Sequence, residues 1–189
     1  MVSPVAPTEH VPSSPGLVFW ELLGLVHAQA DLVHKGILLR GGVTIGKIVK
    51  SYNLLYGPAL VEAYRLENRS AVFPRIVVDP HILEEVRVNK FIRHPDHDGT
   101  MELEHINDLL KQDQNGILFV DYLRTIKEEC RETADYLNFL HVHRGLILNG
   151  LARYRMEDKI YQKYLWLKEY HKNTVKQFSP PVVFGKYIV

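Results

Sequence analysis

Cysteine is nearly absent: Cys130 stands alone in 189 residues, so no intrachain disulfide can form. A lone thiol fits a reducing compartment, and the expected setting is cytoplasmic. Long apolar runs are missing too. The most apolar stretch, Leu17 to Val33, is broken by Glu21, His27 and Asp31, so it reads as a buried helix and not a membrane span. Residues 1–16 hold four prolines and no apolar core, which excludes a recognisable secretory signal there. Neither sign of charge is in excess: 23 Lys and Arg face 22 Asp and Glu, a net charge of +1. A general nucleic-acid binder carries a basic surplus, so neither nucleic acid nor membrane is an expected partner. No internal repeat or low-complexity segment occurs. What remains is ordinary for a globular chain, with 46% hydrophobic and 24% charged residues. The length suits one domain or a domain with an extension.

Within the proline-rich start, Val2 to Ala6 can form an edge strand, where proline is tolerated. From Leu17 to Lys35 the residues Phe19, Leu22, Leu23, Val26, Ala30 and Val33 keep one helical stripe, and Gly36 suits its C-terminal cap. Ile37 to Val49 reads as a strand whose glycines, Gly41, Gly42 and Gly46, imply a bulge or a close backbone approach. A turn over Lys50 to Asn53 leads back through Leu54 to Tyr56 as a hairpin. Pro58 then opens a helix to Glu67, and Val72 to Val78 forms a second strand, closed by Asp79-Pro80.

Beyond His81 the pattern turns helical. Ile82 to Val88 is a short helix, Arg93 to Thr100 a loop, and Leu103 to Lys111 one or two helical turns. The apolar run Ile117 to Tyr122 leads into a helix through Glu129. Tyr136, Leu140, His143, Ile147, Leu151 and Tyr154 stripe a helix over Arg131 to Arg155. Ile160, Tyr164, Leu167, His171 and Phe178 stripe another over Asp158 to Phe178. Val182 to Val189 is expected as a terminal strand or an arm toward a partner.

Several residues invite a chemical role and have a plainer one. Asp96-His97-Asp98-Gly99 with Glu102 and Glu104 hints at a cation site but lacks calcium-loop spacing, and a solvated turn accounts for it better. His27 and His34 flank the first helical stripe as surface or half-packed imidazoles. His141 and His143 are two apart on one helix, so they face different ways and make a poor metal pair. Asp113 to Gly116 is a turn. Tyr161, Tyr164, Trp166 and Tyr170 could stack bases, but packing is the simpler use. Cys130 has no neighbour that marks a nucleophile. No metal ligand is assigned.

Residues 37–80 carry the one family resemblance. Arg40, Gly42, Val43 and Gly46, then the hairpin, then Gly57, Val61, Ala63, Arg65 and Glu67 on a helix, then Ile76 to Val78, follow the order of motifs in the class III nucleotidyl cyclase domain. The stretch resembles the second half of that domain. Most of the chain is also similar to bacterial proteins of unknown function in which a cyclase-like domain precedes a helical tail. Phe119, Asp121, Tyr122 and Leu123, then Lys163, Tyr164, Trp166, Leu167, Tyr170 and His171, carry the tail match. The fold this implies is α/β (α+β): a partial ferredoxin-like, cyclase-type sandwich over residues 1–80, followed by a mainly helical region, 81–189, packed on it.

The resemblance also implies a chemistry, in which metal ions activate a ribose hydroxyl to attack a nucleoside triphosphate. Arg65 falls on that family's transition-state arginine and is the only catalytic candidate. Val61 stands where an asparagine would face the ribose, four residues earlier on the same helix face. Losing one such donor costs about 3–4 kcal/mol of barrier. Leu54 stands where a polar side chain would read the base, and the metal-binding aspartates have no counterpart among residues 1–16. The expectation is therefore a non-catalytic interaction or regulatory module. It would carry no cofactor, with Mg or Mn entering only if a partner completes a cyclase site. A homodimer or a partner protein is expected to complete the sheet. Two alternatives stay open: a cyclase subunit whose partner supplies the aspartates, and a nucleotide-binding sensor without turnover.

Overall fold

A computed structural model describes residues 15–178. The segments Val2–Ala6 and Val182–Val189, expected as strands, lie outside the described residues. The fold is mixed α+β: among the described residues there are seven α-helices, a four-stranded sheet, a separate two-stranded sheet and a helical C-terminal region. Contacts group the described chain into two compact units. One holds residues 15–26, Arg40–Ala71 and Arg75–Asp121; the other holds His27–Leu39, Val72–Pro74 and the chain from Tyr122 onward.

Helix α1 spans Leu17–His34. Its end is closed by a Schellman pattern: Gly36 N–H donates to Val33 O at 2.9 Å and Ile37 N–H to Leu32 O at 2.8 Å. Gly36 has φ +74°, the left-handed conformation this cap needs.

In the first unit, strand β1 (Gly41–Val43) runs parallel to β4 (Ile76–Val78). The antiparallel hairpin of β5 (Leu110–Gln112) and β6 (Leu118–Val120) continues the sheet in the order β1-β4-β6-β5. Helix α2 (Pro58–Arg69) packs on β1. A Cβ added at Gly42 would come within 2.5 Å of Ala63 O, so the glycine is what lets the helix lie so close. Between them β2 (Val49–Ser51) and β3 (Leu54–Tyr56) form the expected hairpin. Pro58 starts α2, where its missing N–H costs nothing.

The strands are shorter than the sequence implies. Ile37–Val49 is not one strand: after Val43 the chain leaves the sheet, and Thr44 donates its hydroxyl to Asp79 Oδ2 at 2.7 Å. Likewise Val72–Val78 is strand only from Ile76. Val72–Pro74 belongs to the second unit, where Phe73 stacks on Trp166 at 5.3 Å with rings 3° from parallel. Helix α3 covers His81–Val88. Helix α4 is Gly99–Asn107, four residues earlier than expected, because Asp98 Oδ1 accepts from Thr100 N–H and Met101 N–H at 2.8 and 2.9 Å. The end of the expected helix, at Leu110 and Lys111, is strand β5 instead.

The second unit holds the far half of α1, α5 (Tyr122–Glu129), α6 (Thr133–Arg153) and α7 (Asp158–Lys176), all three later helices close to the expected spans. Tyr136, Phe139, Leu140 and Ile147 of α6 are buried, as are Leu167, Tyr170 and Val175 of α7. No helix among the described residues is long and apolar enough to cross a membrane.

Candidate functional site

Arg65 lies on the outer side of α2, about half exposed, and donates from Nη1 to Glu62 Oε2 at 3.0 Å. Val61, one turn before it, is 60% exposed, and Leu54 on β3 is also 60% exposed. The positions where the resembled family would use an amide and a base-reading group are thus apolar and open to solvent. They belong to a larger set. Val49, Tyr52, Leu54 and Tyr56 of the hairpin and Leu60, Val61 and Tyr64 of α2 are all exposed, and α2 has no buried residue. The inner side of the helix is fixed by Gly42 and by the ion pair of Arg40 with Glu67.

At the carboxyl ends of parallel β1 and β4 lies a groove of about 500 Å³. Ile45, Gly46 and Lys47 form one wall, and His81, Glu85 and Phe91 stand among the residues opposite. Just before His81 in the chain, Asp79 Oδ1 accepts from His81 N–H at 3.0 Å and Oδ2 accepts from the Thr44 hydroxyl at 2.7 Å.

The acidic loop is only partly the solvated turn expected. Asp96 and Glu104 are exposed. Asp98 caps α4, and its two N–H bonds, first from Met101 and then from Thr100, hold its carboxyl below the usual range. Glu102 is different: it is fully buried, accepts from Gly16 N–H at 2.6 Å and sits 3.0 Å from His97 Nδ1. The His97 ring lies 4.9 Å from that of His94 and 5.5 Å from that of His105. This cluster ties the chain before α1 to α4. Among the described residues no group of three or more His, Cys, Asp or Glu is placed to hold a metal ion.

In the helical unit α5, α6 and α7 bring three polar rings into one buried chain. Tyr122 hydroxyl lies 2.6 Å from His143 Nε2, and His143 Nδ1 lies 2.9 Å from His171 Nδ1. The imidazoles are 7° from parallel with centroids 5.0 Å apart. Because the nitrogens are far closer than the ring centres, the rings meet edge to edge, as an N–H···N bond requires. Burial first, and the neighbouring His171 second, push the His143 pKa well below its ordinary value. Tyr170 hydroxyl accepts from Leu123 N–H at 3.2 Å and Tyr136 hydroxyl donates to Leu123 O at 3.0 Å, which pins the start of α5.

The remaining candidates take structural roles. His27 meets Glu129 at the surface at 3.2 Å, and the His34 ring lies 5.5 Å from Phe139. His141 is exposed while His143 is buried, so the two do point apart. Trp166 packs on Phe73 and Tyr170, and Tyr164 on Tyr154. Burial, then Asp135 and Glu129, raise the Cys130 pKa, which makes it a poor nucleophile. Asp113 Oδ1 accepts from Asn115 and Ile117 N–H in the β5–β6 turn, and Gly116 has φ +79°.

No family model, curated protein or solved structure matches the chain.

Proposed function

We propose that this chain is a non-catalytic module of cyclase-like descent that works by docking onto a second polypeptide, either another copy or a different protein. The observation that carries this reading is α2. It is a twelve-residue helix with no buried residue, and it presents Leu60, Val61 and Tyr64 to solvent beside an equally exposed hairpin. Scattered exposed apolar side chains are normal, but a concentrated set marks an interaction surface. Apolar Val61 and Leu54 suit such a surface and do not suit binding a ribose or a base.

The test is turnover. The purified chain, given ATP or GTP with Mn²⁺, is expected to make no cyclic nucleotide. Steady production that Arg65→Ala abolishes overturns the reading. If activity appears only after a second chain is added and still needs Arg65, the chain is one part of a shared cyclase.

A nucleotide-binding sensor is the second reading, favoured by the groove at the carboxyl ends of β1 and β4. Its volume lies in the small-ligand range, and ligands of open α/β sheets commonly sit at that edge. Calorimetry with nucleotides and cyclic nucleotides tests it, and flat titrations end it.

A further inference from the structure

The hairpin register decides which side chains share a face. Val49 lies opposite Tyr56 and Ser51 opposite Leu54, so Val49, Leu54 and Tyr56 project from the same side. On α2, Leu60, Val61 and Tyr64 follow at helical spacing, and Tyr52 at the hairpin tip is fully exposed. The charges in this stretch are one-sided. Lys47, Arg65 and Arg69 are exposed, as is Lys50 on the opposite face of the hairpin, where it pairs with Leu55. The acidic residues between positions 44 and 71 are Glu62 and Glu67, and each is already held, by Arg65 and by Arg40.

Resting on the interaction reading above, we propose that this surface takes an acidic, apolar protein segment: Asp and Glu residues flanking Leu, Ile or Phe anchors. The exposed valines, leucines and tyrosines supply affinity, with the tyrosines as the natural anchors. Carboxylates set beside Lys47 and Arg69 supply orientation and speed of encounter. A nucleic acid would set phosphates against four aliphatic side chains that offer them nothing. An extended polyanion or an anionic membrane also meets the rest of the unit, where the exposed charges of residues 75–121 are Glu84, Asp96, Asp98, Glu104 and Asp108 against Arg87 and Lys90. A short segment touches the basic surface alone.

The experiment is selection from a random peptide display library on the immobilised whole chain. Enriched peptides are expected to be net acidic with at least two large apolar residues. A synthetic copy is expected to bind about tenfold or more weakly to Leu54→Ser/Tyr64→Ser and to Lys47→Glu/Arg69→Glu, and to weaken as salt rises. These positions are exposed, and circular dichroism confirms that the variants fold. Neutral or basic peptides that still depend on Leu54 and Tyr64 overturn the proposed chemistry and leave the docking reading standing. Peptides indifferent to both variants overturn both, and no enrichment at all overturns the proposed partner chemistry. Self-association, binding to single-stranded RNA or binding to phosphatidylserine vesicles overturns the proposal if it is lost in the same variants while acidic peptides fail to bind.

Discussion

His143 Nδ1 and His171 Nδ1 stand 2.9 Å apart in the buried centre of the helical unit, so one must carry a hydrogen and the other a lone pair. Doubly protonated, the fully buried pair would place two hydrogens and two charges against each other. Tyr122 and Phe139 pack on the His143 ring, with centroids 5.8 and 6.2 Å away, and His34 of α1 packs on Phe139 in turn.

The pH dependence of stability follows. The His143 pKa is depressed on folding, so between the unfolded value near 6.5 and the lower folded value the unfolded chain binds the extra proton. Stability is full above about pH 6.5 and falls as the solution is acidified through that window, by about 1.4 kcal/mol per pH unit for one proton. Thermal or urea unfolding between pH 8 and 5 measures it. His143→Gln is expected to lower stability overall and to remove one proton's worth of that slope. An unchanged slope in the variant would rule the histidine out as its source.

Arg75 is 2% exposed, donates to Asp113 Oδ2 at 2.8 Å and places its guanidinium 5.2 Å from the centre of the Phe119 ring. Burial pushes the Asp113 pKa up, but the bond from Arg75 and the N–H groups of Ile117 and Asn115 outweigh it and hold the carboxyl below the usual range. Asp113→Ala removes the carboxylate from this buried ion pair and is expected to cost about 3–5 kcal/mol. The contribution is present at neutral pH and is lost in acid, as pH falls through the folded-state value. Urea titration checks both, and a loss below about 1 kcal/mol would show the pair to be incidental.

The two glycines of β1 should behave differently. A Cβ at Gly42 meets Ala63 O and the Leu66 side chain at 2.5 and 2.6 Å, whereas one at Gly41 meets only Ile76, at 3.9 Å. Gly42→Ala is expected to push α2 off the sheet at a cost of about 1–3 kcal/mol, and Gly41→Ala to be near neutral. Melting temperatures of the two variants decide it, and equal losses would contradict the packing described.

Much of this was legible in the sequence, and the parts that were not have physical reasons. The stripes of α1, α6 and α7, the hairpin turn and Pro58 mark their elements because a 3.6-residue period or a turn residue acts locally. The sheet was hidden because strands of three residues, such as Leu110–Gln112, carry no usable alternation, and their pairing is set by partners far along the chain. Phe73 left its expected strand for Trp166, a choice no local pattern encodes. Glu102 reads as solvated because its neighbours are acidic. The spacing of Glu102, Leu103 and Ile106 on one helix side was the available hint of its burial. His143 and His171 each sat on an apolar stripe, and two such histidines on neighbouring helices were a signal that they meet. Arg65 was placed by resemblance, and the exposure of the apolar groups around it came only from the structure.

Native mass spectrometry of the chain isolated gently from its own host tests the central claim most directly. The account predicts a complex with a second polypeptide that Leu54→Ser/Tyr64→Ser releases as a folded single chain. A chain that is already single in the wild type, or a complex that survives both substitutions intact, would contradict it.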